Sequence, residues 1–390
     1  MTSSRRASTS FAPVRSSGLT RAIPVVLLLV AAGAVAWWIQ LSRGLGITGL
    51  NRDVSWGLYV SQFTFFVGVA ASAVMVVVPY YLHDFKAFGS LAILGEMLAV
   101  AALVVAGFFV LVDLGQPGRV MNVLLYPSPR SLMFWDILCL GGYLAINVVL
   151  AVTTIFTESR GLATRRWVRP LVYLSIPWAV SIHTVTAFLY AGLPGRPFWE
   201  TAVLAPRFLA SAFASGPSLL LLIVLLLRDK PGLDPGPDAV RVLTHIIRYA
   251  LAINLFLFGV EVFTALYSQV PGEVEAWRVT FLDPESGVRL WMWGSAALSL
   301  VAFGALFVPV VRMQRRYLAF AVALVFVGVW MEKGLGFIAG GLEPSPLGRV
   351  PGYFPTFLEV TIGLGVWGVG ALVLIAGIWL ASTVRSAQAS

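Results

Sequence analysis

The chain has 390 residues, of which 58% are hydrophobic and only 12% are charged. So few charged side chains cannot cover the surface of a water-soluble protein of this length. The net charge of +9 is explained more economically by basic loops on the inner face of a membrane than by nucleic-acid binding. We therefore expect a protein embedded in a lipid bilayer, with no nucleic-acid partner.

The sequence is poor in metal ligands, with one cysteine, Cys139, and three histidines, His83, His183 and His245. An iron–sulfur cluster needs about four thiolates, and a structural zinc site needs about four Cys or His ligands. A transmembrane b-type haem usually has two axial ligands at membrane depth, and among these histidines His183 alone is deep. We therefore expect no metal site, haem or iron–sulfur cluster on this chain, and interpret His83 and His245 as interfacial residues.

Apolar runs of about 18 residues or more recur along the whole chain, and each is long enough to cross a hydrocarbon core about 30 Å thick. Together with the Pro, Gly and charged residues between them, they predict ten transmembrane helices, here called spans 1 to 10. The predicted ranges are 22–42, 57–81, 91–113, 132–156, 169–191, 207–227, 244–267, 289–311, 317–340 and 357–381. The expected fold class is an all-α polytopic membrane protein.

The basic residues indicate which ends of the spans face the cytoplasm. If the N-terminus is inside, 17 of the 27 Lys and Arg residues fall on the inner side, 9 fall outside, and Lys333 lies within a span. Because cytoplasmic loops carry the excess of basic residues, we expect both termini on the cytoplasmic side of the cell inner (plasma) membrane. The tails at 1–20 and 382–390 would then be cytoplasmic, and span 1 is expected to remain uncleaved.

A Pro- and Gly-rich inner loop at 230–237 divides the predicted membrane domain, 21–381, near its middle. We expect two four-helix bundles, one at 57–191 with spans 2 to 5 and one at 207–340 with spans 6 to 9. Spans 1 and 10 then flank the bundles. Residues 108–113 at the outer end of span 3 are similar to residues 256–261 near the outer end of span 7, which favours an internal duplication.

Ionisable side chains within the spans are costly to insert into a membrane, so each is a candidate for function. In the outer half of the predicted membrane domain these residues are Asp113, Asp136, His183, Glu261, Glu332, Lys333 and Glu359. Glu96, near the inner end of span 3, is the exception. This asymmetry predicts a polar site toward the outer leaflet.

Simpler interpretations of several polar residues remain open. His183 can be a structural histidine that is hydrogen-bonded to a neighbouring helix, Glu332 and Lys333 can neutralise each other, and Arg119 can merely stop translocation. Three tryptophans near the predicted outer surface are interpreted as an aromatic belt: Trp199, Trp291 and Trp293.

Several sequence features together resemble the NrfD/polysulfide reductase family of membrane proteins, over about residues 20–381. They are the ten-span pattern, Trp56 to Tyr59 at the start of span 2, Asp113 to Arg119 after span 3, Met133 to Asp136 in span 4, and His183 in span 5. Residues 181–190, followed by 195–199, are most similar to the P subunit of the Dsr transmembrane complex of sulfur-metabolising prokaryotes. Its relatives in the Hmc and alternative complex III assemblies are also similar.

The resemblance implies a subunit of a respiratory redox complex that has no redox cofactor of its own. Such a subunit binds quinone or menaquinone near the outer face and exchanges electrons with a ferredoxin-like iron–sulfur subunit docked there. The implied further partners are a multihaem cytochrome c and other membrane subunits. The family is also suspected of proton translocation.

The resemblance also implies roles for individual residues. Positions at the quinone pocket or its proton exit carry over to Asp113, Asp136, His183 and Glu261, with His183, Asp136 and Glu261 as the catalytic set. Asp136 stands where some relatives have the longer Glu. Tyr59 and Arg119 are further candidates for quinone contact, and the expected proton path contains Glu96, Glu332 and Glu359.

Three hypotheses for the function follow. The first is a quinone-reactive subunit, in which His183 with Asp136 or Glu261 supplies hydrogen bonds and a proton acceptor to a quinol. The second is a secondary transporter or proton channel that uses the same buried charges, although such proteins usually bind their substrate near mid-membrane. The third is a purely structural anchor for a redox partner, whose buried charges serve helix packing alone.

The orientation can be tested by labelling. We expect cysteine introduced at Ser128 or Gly195 to react with an impermeant thiol reagent in whole cells, and cysteine at Ser159 or Gly232 to stay unlabelled. The parent protein, which carries Cys139 alone, is the control for background. The reverse labelling pattern would overturn both the orientation and the placement of the polar site in the outer leaflet.

Overall fold

A computed structural model describes residues 17–83, 85–160, 166–227 and 235–389. In these ranges the backbone forms helices and loops and contains no β-strand. Most of the predicted N-terminal tail and of the loop at 230–237 lies outside the described residues. The expected all-α fold class is confirmed.

Ten helices in the described part of the chain are long and apolar enough to cross a membrane. They are Arg21–Arg43, Leu58–Leu82, Leu91–Asp113, Leu132–Thr157, Val168–Ala191, Leu204–Leu227, Gly236–Ser268, Arg289–Phe307, Arg315–Leu342 and Phe357–Leu380, which are spans 1 to 10 in order. The prediction of ten spans is confirmed, and most of their ends lie within a few residues of the predicted ones. We call the two ends of the molecule the predicted outer end and the predicted inner end.

Span 8 ends before the predicted boundary because of a proline. The helix stops at Phe307, and a short helix, Pro309–Met313, follows after Val308, whose backbone is extended with φ −73° and ψ 120°. Proline disfavours helical backbone at the residue before it and starts helices well. The connection to span 9 is therefore a structured turn at the predicted inner end.

Two spans are interrupted within the membrane. Span 2 consists of Leu58–Ala71 and Val74–Leu82. Span 9 contains a π-helical segment, Glu332–Gly336, between Arg315–Met331 and Phe337–Leu342. Such π-helical segments inside α-helices are frequent at functional sites, and this one carries two charged residues.

The contacts between helices form two closed rings. In the first ring, each of spans 2, 3, 4 and 5 contacts the next, and span 5 returns to span 2. In the second ring, spans 6, 7, 8 and 9 do the same, and span 9 returns to span 6. Span 2 packs against span 6 between the rings, so this pair of helices is the main junction of the molecule. The duplication of the two halves stays a prediction.

Spans 1 and 10 pack against each other, and span 10 packs on span 3. Spans 1 and 10 approach closely at Gly33 and Gly365, where a Cβ atom built on Gly33 would lie 2.6 Å from the Cα of Gly365. Membrane helices associate closely where small residues let the backbones meet. These two glycines therefore set the distance at which span 1 is held.

The packing of span 1 can be tested with a matched pair of alanine substitutions in span 10. We expect Gly365→Ala to lower the free energy of unfolding by about 1–3 kcal/mol, because its methyl group meets the backbone of span 1 and the helices must separate. Gly363→Ala is the control, since a Cβ there makes only ordinary contacts, the nearest at 3.6 Å to Leu58. Unfolding of the purified protein in mixed micelles measures both, and equal stabilities would contradict the close approach.

Candidate functional site

A group of buried charged and polar side chains connects spans 6, 7 and 9, and we call it the charged cluster: Arg207, Asn254, Glu261, Glu332 and Lys333. The guanidinium of Arg207 donates to Glu261 through Nη1, and its Nη2 lies 2.5 Å from Glu332 Oε1. Asn254 Nδ2 donates to Glu332 Oε2 at 3.2 Å. One arginine thus bridges two carboxylates from two other helices.

Burial makes this bridge necessary for the structure. Arg207 is 5% exposed and lies in the first turn of a helix that begins at Leu204. A guanidinium presents donors in a planar fork that suits two carboxylates, and removal of one partner from a buried ion pair leaves an uncompensated charge. Arg207 is one of the nine basic residues that the charge count places on the outer side, at the predicted start of span 6. The helix begins at Leu204, three residues earlier, so Arg207 lies within span 6.

Lys333 lies beside this bridge and faces the junction of the two rings. Its Nζ donates to the main-chain carbonyl of Phe208 at 3.1 Å and lies 4.5 Å from the centre of the Phe208 ring. On the other side is Gly68 of span 2, where a Cβ would lie 2.9 Å from Nζ. Lys333 is thus bound by Phe208, while Glu332 pairs with Arg207. The interpretation that Glu332 and Lys333 neutralise each other is therefore incomplete.

His183 is buried in span 5, eight positions before Ala191 and so about 12 Å from the helix end at the rise of an α-helix. Neither ring nitrogen has a hydrogen-bond partner among the described residues, although the charge of Lys333 acts on the ring. The interpretation as a structural histidine bonded to a neighbouring helix is therefore not supported. An imidazole with two unpaired nitrogens at this depth can bind a polar group of a ligand.

Asp136, in span 4, is held against span 5 by a hydroxyl group. Thr186 Oγ1 donates to Asp136 Oδ1 at 2.7 Å, and Thr186 lies three positions after His183 in the same helix. Asp136 in span 4 thus contacts span 5 within one helical turn of His183. Glu261 does not join Asp136 and His183, because it belongs to the charged cluster.

An aromatic cluster at the predicted outer end fills the junction between the rings. Tyr190 has ring contacts with Trp56, Trp199 and Phe337, with centroids 5.6, 5.3 and 5.2 Å away, and its hydroxyl pairs with that of Thr64. Trp199 is fully buried and donates through Nε1 to the carbonyl of Phe337 at 2.9 Å. The prediction that Trp199 belongs to an aromatic belt was wrong, because the loop that carries it folds into the protein.

The other two tryptophans of the predicted belt differ in exposure. Trp291 is partly buried and donates to the carbonyl of Met331 at 2.7 Å, so its indole is fixed against span 9. Trp293 is exposed on the surface and donates to the carbonyl of Phe281 at 2.9 Å. An exposed indole at the predicted outer surface is typical of an aromatic belt, so the belt interpretation stays a prediction for Trp293.

Tyr59 belongs to another polar group, separate from the charged cluster and near the predicted outer ends of spans 1, 2 and 3. Its hydroxyl donates to Gln40 Oε1 at 2.6 Å, and Gln40 Nε2 donates to the carbonyl of Val112 at 2.7 Å. The next residue, Asp113, has a buried Oδ1 atom without a hydrogen-bond partner among the described residues. The carboxylate of Asp113 therefore has a buried oxygen that can accept a hydrogen bond, and it lies next to the hydrogen bonds that join Tyr59, Gln40 and Val112.

Glu359 makes the contacts of a helix cap at the start of span 10. Its Oε2 accepts from the backbone N–H groups of Thr356 and Gly49, both at 2.8 Å, and Thr356 Oγ1 accepts from Glu359 N at 3.3 Å. This reciprocal pair is a capping box. Tyr353 donates to Glu359 Oε1 at 2.6 Å, and burial together with this carboxylate raises the pKa of Tyr353, so the phenol stays protonated. The role of Glu359 in a proton path stays a prediction.

Two other candidate residues lie away from these groups. Arg119 is exposed in the short helix Pro117–Arg119 of the outer loop. Glu96 is buried and accepts from the hydroxyl of Tyr81 at 3.3 Å, and Tyr81 also pairs with Thr154. Glu96 therefore belongs to a separate network near the predicted inner end of the first ring.

Two cavities adjoin these groups. One of about 660 Å³ lies between spans 2, 8, 9 and 10, with walls that include Trp291, Trp330 and Trp367, and its Gln62 Oε1 accepts from Trp330 at 2.9 Å and Trp367 at 3.2 Å. The second, of about 220 Å³, is lined by residues of the predicted outer loops and reaches Glu261. In the described ranges, no three side chains of His, Cys, Asp or Glu come together as a metal site.

The ion bridge generates a prediction for Arg207. We expect Arg207→Ala to destabilise the protein by about 3–5 kcal/mol, because Glu261 and Glu332 lose their buried partner. Adding Glu261→Gln and Glu332→Gln to that variant should restore most of the loss, since the two uncompensated carboxylates are then removed. Arg278→Ala is the control, because Arg278 is exposed and pairs with Glu275 on its own helix. Thermal unfolding in detergent measures all variants, and a loss below about 1 kcal/mol for Arg207→Ala would contradict the bridge.

Comparison with known proteins shows relatives along most of the chain. The putative membrane subunit of a dimethyl sulfoxide reductase from Halobacterium salinarum is 28% identical over 91% of this chain and 89% of its own length. A selenate reductase subunit from Mesobacillus selenatarsenatis is 22% identical over 88% and 90%. An Hdr-like menaquinol oxidoreductase integral membrane subunit from Archaeoglobus fulgidus is 25% identical over 84% and 81%. These relatives are subunits of reductases and oxidoreductases.

The family described as polysulphide reductase, NrfD, matches residues 46–342. That range contains spans 2 to 9, and therefore both rings of helices, the charged cluster, and the His183 and Asp136 region. The match covers about three quarters of the sequence, and the resemblance seen in the sequence motifs is confirmed. The chain therefore belongs to the polysulphide reductase, NrfD family.

Proposed function

We propose that this chain is the quinone-reactive membrane subunit of a redox complex, with its quinone site in the first ring of helices. The observation that carries the proposal is His183, a buried imidazole whose two nitrogens have no partner among the described residues. Asp136 is held on the neighbouring helix by Thr186. The relative from Archaeoglobus fulgidus, whose name describes a menaquinol oxidoreductase, supports the same class of substrate.

The residues of the first ring fit the chemical needs of a quinone. A quinol releases two electrons and two protons on oxidation, so a protein that oxidises it supplies a polar partner for each oxygen and a proton acceptor. His183 can accept a proton at either nitrogen, and Asp136 has a carboxylate whose position is fixed by a 2.7 Å hydrogen bond. Asp113 supplies a further buried acceptor oxygen.

The 660 Å³ cavity between spans 2, 8, 9 and 10 is less suited to the head group. Its polar lining groups include the amide of Gln62, whose oxygen already accepts from two indole N–H groups, and the phenol of Tyr353, whose hydroxyl already donates to Glu359. None of its described lining residues is a carboxylate or an imidazole. An aromatic, apolar cavity of this kind suits a hydrocarbon chain, such as the isoprenoid tail of a quinone or an acyl chain.

The predicted outer surface has a feature that fits a protein partner. In the loop between spans 3 and 4, Met121, Leu125 and Tyr126 are exposed by 52, 66 and 77%. Large apolar side chains grouped outside the membrane helices are typical of interaction surfaces. We infer that the iron–sulfur protein of the complex docks here, at the end of the molecule that is nearer to His183.

The charged cluster favours proton movement as a second function. Glu261 lines the 220 Å³ cavity at the predicted outer end, and its Oε1 has no hydrogen-bond partner among the described residues. The interrupted helix of span 9 places Glu332 on the other side of Arg207. Carboxylates buried among helices and reached by a cavity are typical of proton pathways.

The proposal predicts the effects of two substitutions. We expect His183→Ala and Asp136→Asn each to reduce quinol-linked electron transfer by a factor of about 10²–10⁴, which is the usual contribution of a positioned acid or base. Thr184→Ala is the control, because the Thr184 hydroxyl donates to Val180 O of its own helix. Turnover of the intact complex with a soluble quinol is measured after its assembly has been verified. If quinol-linked electron transfer fell by less than about threefold in both variants, these residues would serve helix packing and not quinol oxidation.

A further inference from the structure

A basic cavity lies at the predicted inner end of the second ring, on the opposite side of the membrane from His183. It has a volume of about 470 Å³ and is formed by the first turns of span 7 and by the connection from span 8 to span 9. Its polar walls carry Arg241, Arg312, Arg315 and His245. Neither the proposed quinone site nor the charged cluster uses any of these residues.

The cavity concentrates positive charge. Three guanidinium groups, those of Arg241, Arg312 and Arg315, line it together with His245. Among the residues described around the cavity, Asp238 is the acidic one, and it pairs with Arg241 at 3.0 Å on the exposed rim. The cavity therefore keeps an excess of positive charge that an anion can neutralise.

Arg312, which lines the cavity, and Arg248, which follows His245 by three positions in span 7, each have an unused donor. The Nε atoms of Arg248 and Arg312 are buried and have no hydrogen-bond partner among the described residues. Arg248 is also fixed in place, since its guanidinium carbon lies 4.8 Å from the ring centre of Phe307. An unpaired guanidinium donor in the wall of a basic cavity, as at Arg312, can bind a phosphate oxygen through a charge-assisted hydrogen bond.

The remaining walls of the cavity are apolar. Val240 and Leu318 line it beside the arginines, and the surrounding helices are those that cross the membrane. A ligand that fits both parts has an anionic phosphate group next to hydrocarbon. Basic pockets between membrane helices at the inner surface bind the head groups of anionic lipids.

We propose that this cavity binds the phosphate group of an anionic phospholipid, with Arg241, Arg312 and His245 around the phosphate and an acyl chain along Val240 and Leu318. The bound lipid would join span 7 to the connection between spans 8 and 9. Because it binds the folded protein, it would raise the unfolding temperature as its concentration increases. The site is independent of the quinone chemistry.

The test uses the full-length protein, purified in detergent and stripped of lipid. Phosphatidylglycerol, phosphatidylcholine and inorganic phosphate are added separately, and binding is followed by native mass spectrometry and by the unfolding temperature. We expect phosphatidylglycerol to bind and stabilise at concentrations at which the other two have no effect. Two results with the unmodified protein would overturn the proposal. One is equal binding and stabilisation by the two lipids, and the other is full stabilisation by inorganic phosphate alone.

Matched variants assign the binding to this cavity. We expect Arg241→Gln with Arg312→Gln to weaken phosphatidylglycerol binding about 30-fold, on the basis of about fivefold for each basic residue near the surface. Arg316→Gln is the control, because Arg316 is exposed beside the cavity without lining it. Equal losses in the control and in the double variant would show general attraction to the surface and would overturn the site.

Discussion

The bridge from Arg207 to Glu261 and Glu332 fixes the architecture of the second ring. A buried guanidinium is costly in a membrane, and here two carboxylates from different helices compensate it. Spans 6, 7 and 9 must therefore meet at one depth. The same constraint orients Glu332 toward span 6, and the π-helical segment that begins there places Lys333 toward span 2.

The position of Lys333 connects this cluster to the first ring. Its ammonium group is anchored by the carbonyl and the ring of Phe208 in span 6, and it reaches Gly68 in span 2. Its charge also acts on His183 in span 5. The two rings are thus joined at the predicted outer end by electrostatic interaction as well as by the aromatic packing around Tyr190.

The sequence allowed the ten spans and most of the buried carboxylates to be predicted, because the thickness of the hydrocarbon core sets the length of each helix. It also indicated the depth of Asp136 and His183. It could not show the direction in which each side chain points around its helix, and hence not the pairing of Arg207 with residues 54 and 125 positions away. The similar predicted depth of Glu261 in span 7 and Glu332 in span 9 is the sequence signal that points to a shared basic partner, and Arg207 at the predicted start of span 6 is a candidate in the sequence.

The two rings differ in how they treat corresponding carboxylates, and this difference supports the choice of the first ring for the quinone. Asp113 and Glu261 each lie toward the predicted outer end of the second helix of their ring, in similar stretches of sequence. Each keeps one buried oxygen without a hydrogen-bond partner among the described residues, but Glu261 forms an ion pair with Arg207, whereas Asp113 has no ion pair in the described part of the chain. The carboxylate of the second ring is therefore compensated by a guanidinium that joins its helices, while the carboxylate of the first ring has no such partner in that part of the chain and its charge is left for a ligand or a proton to compensate.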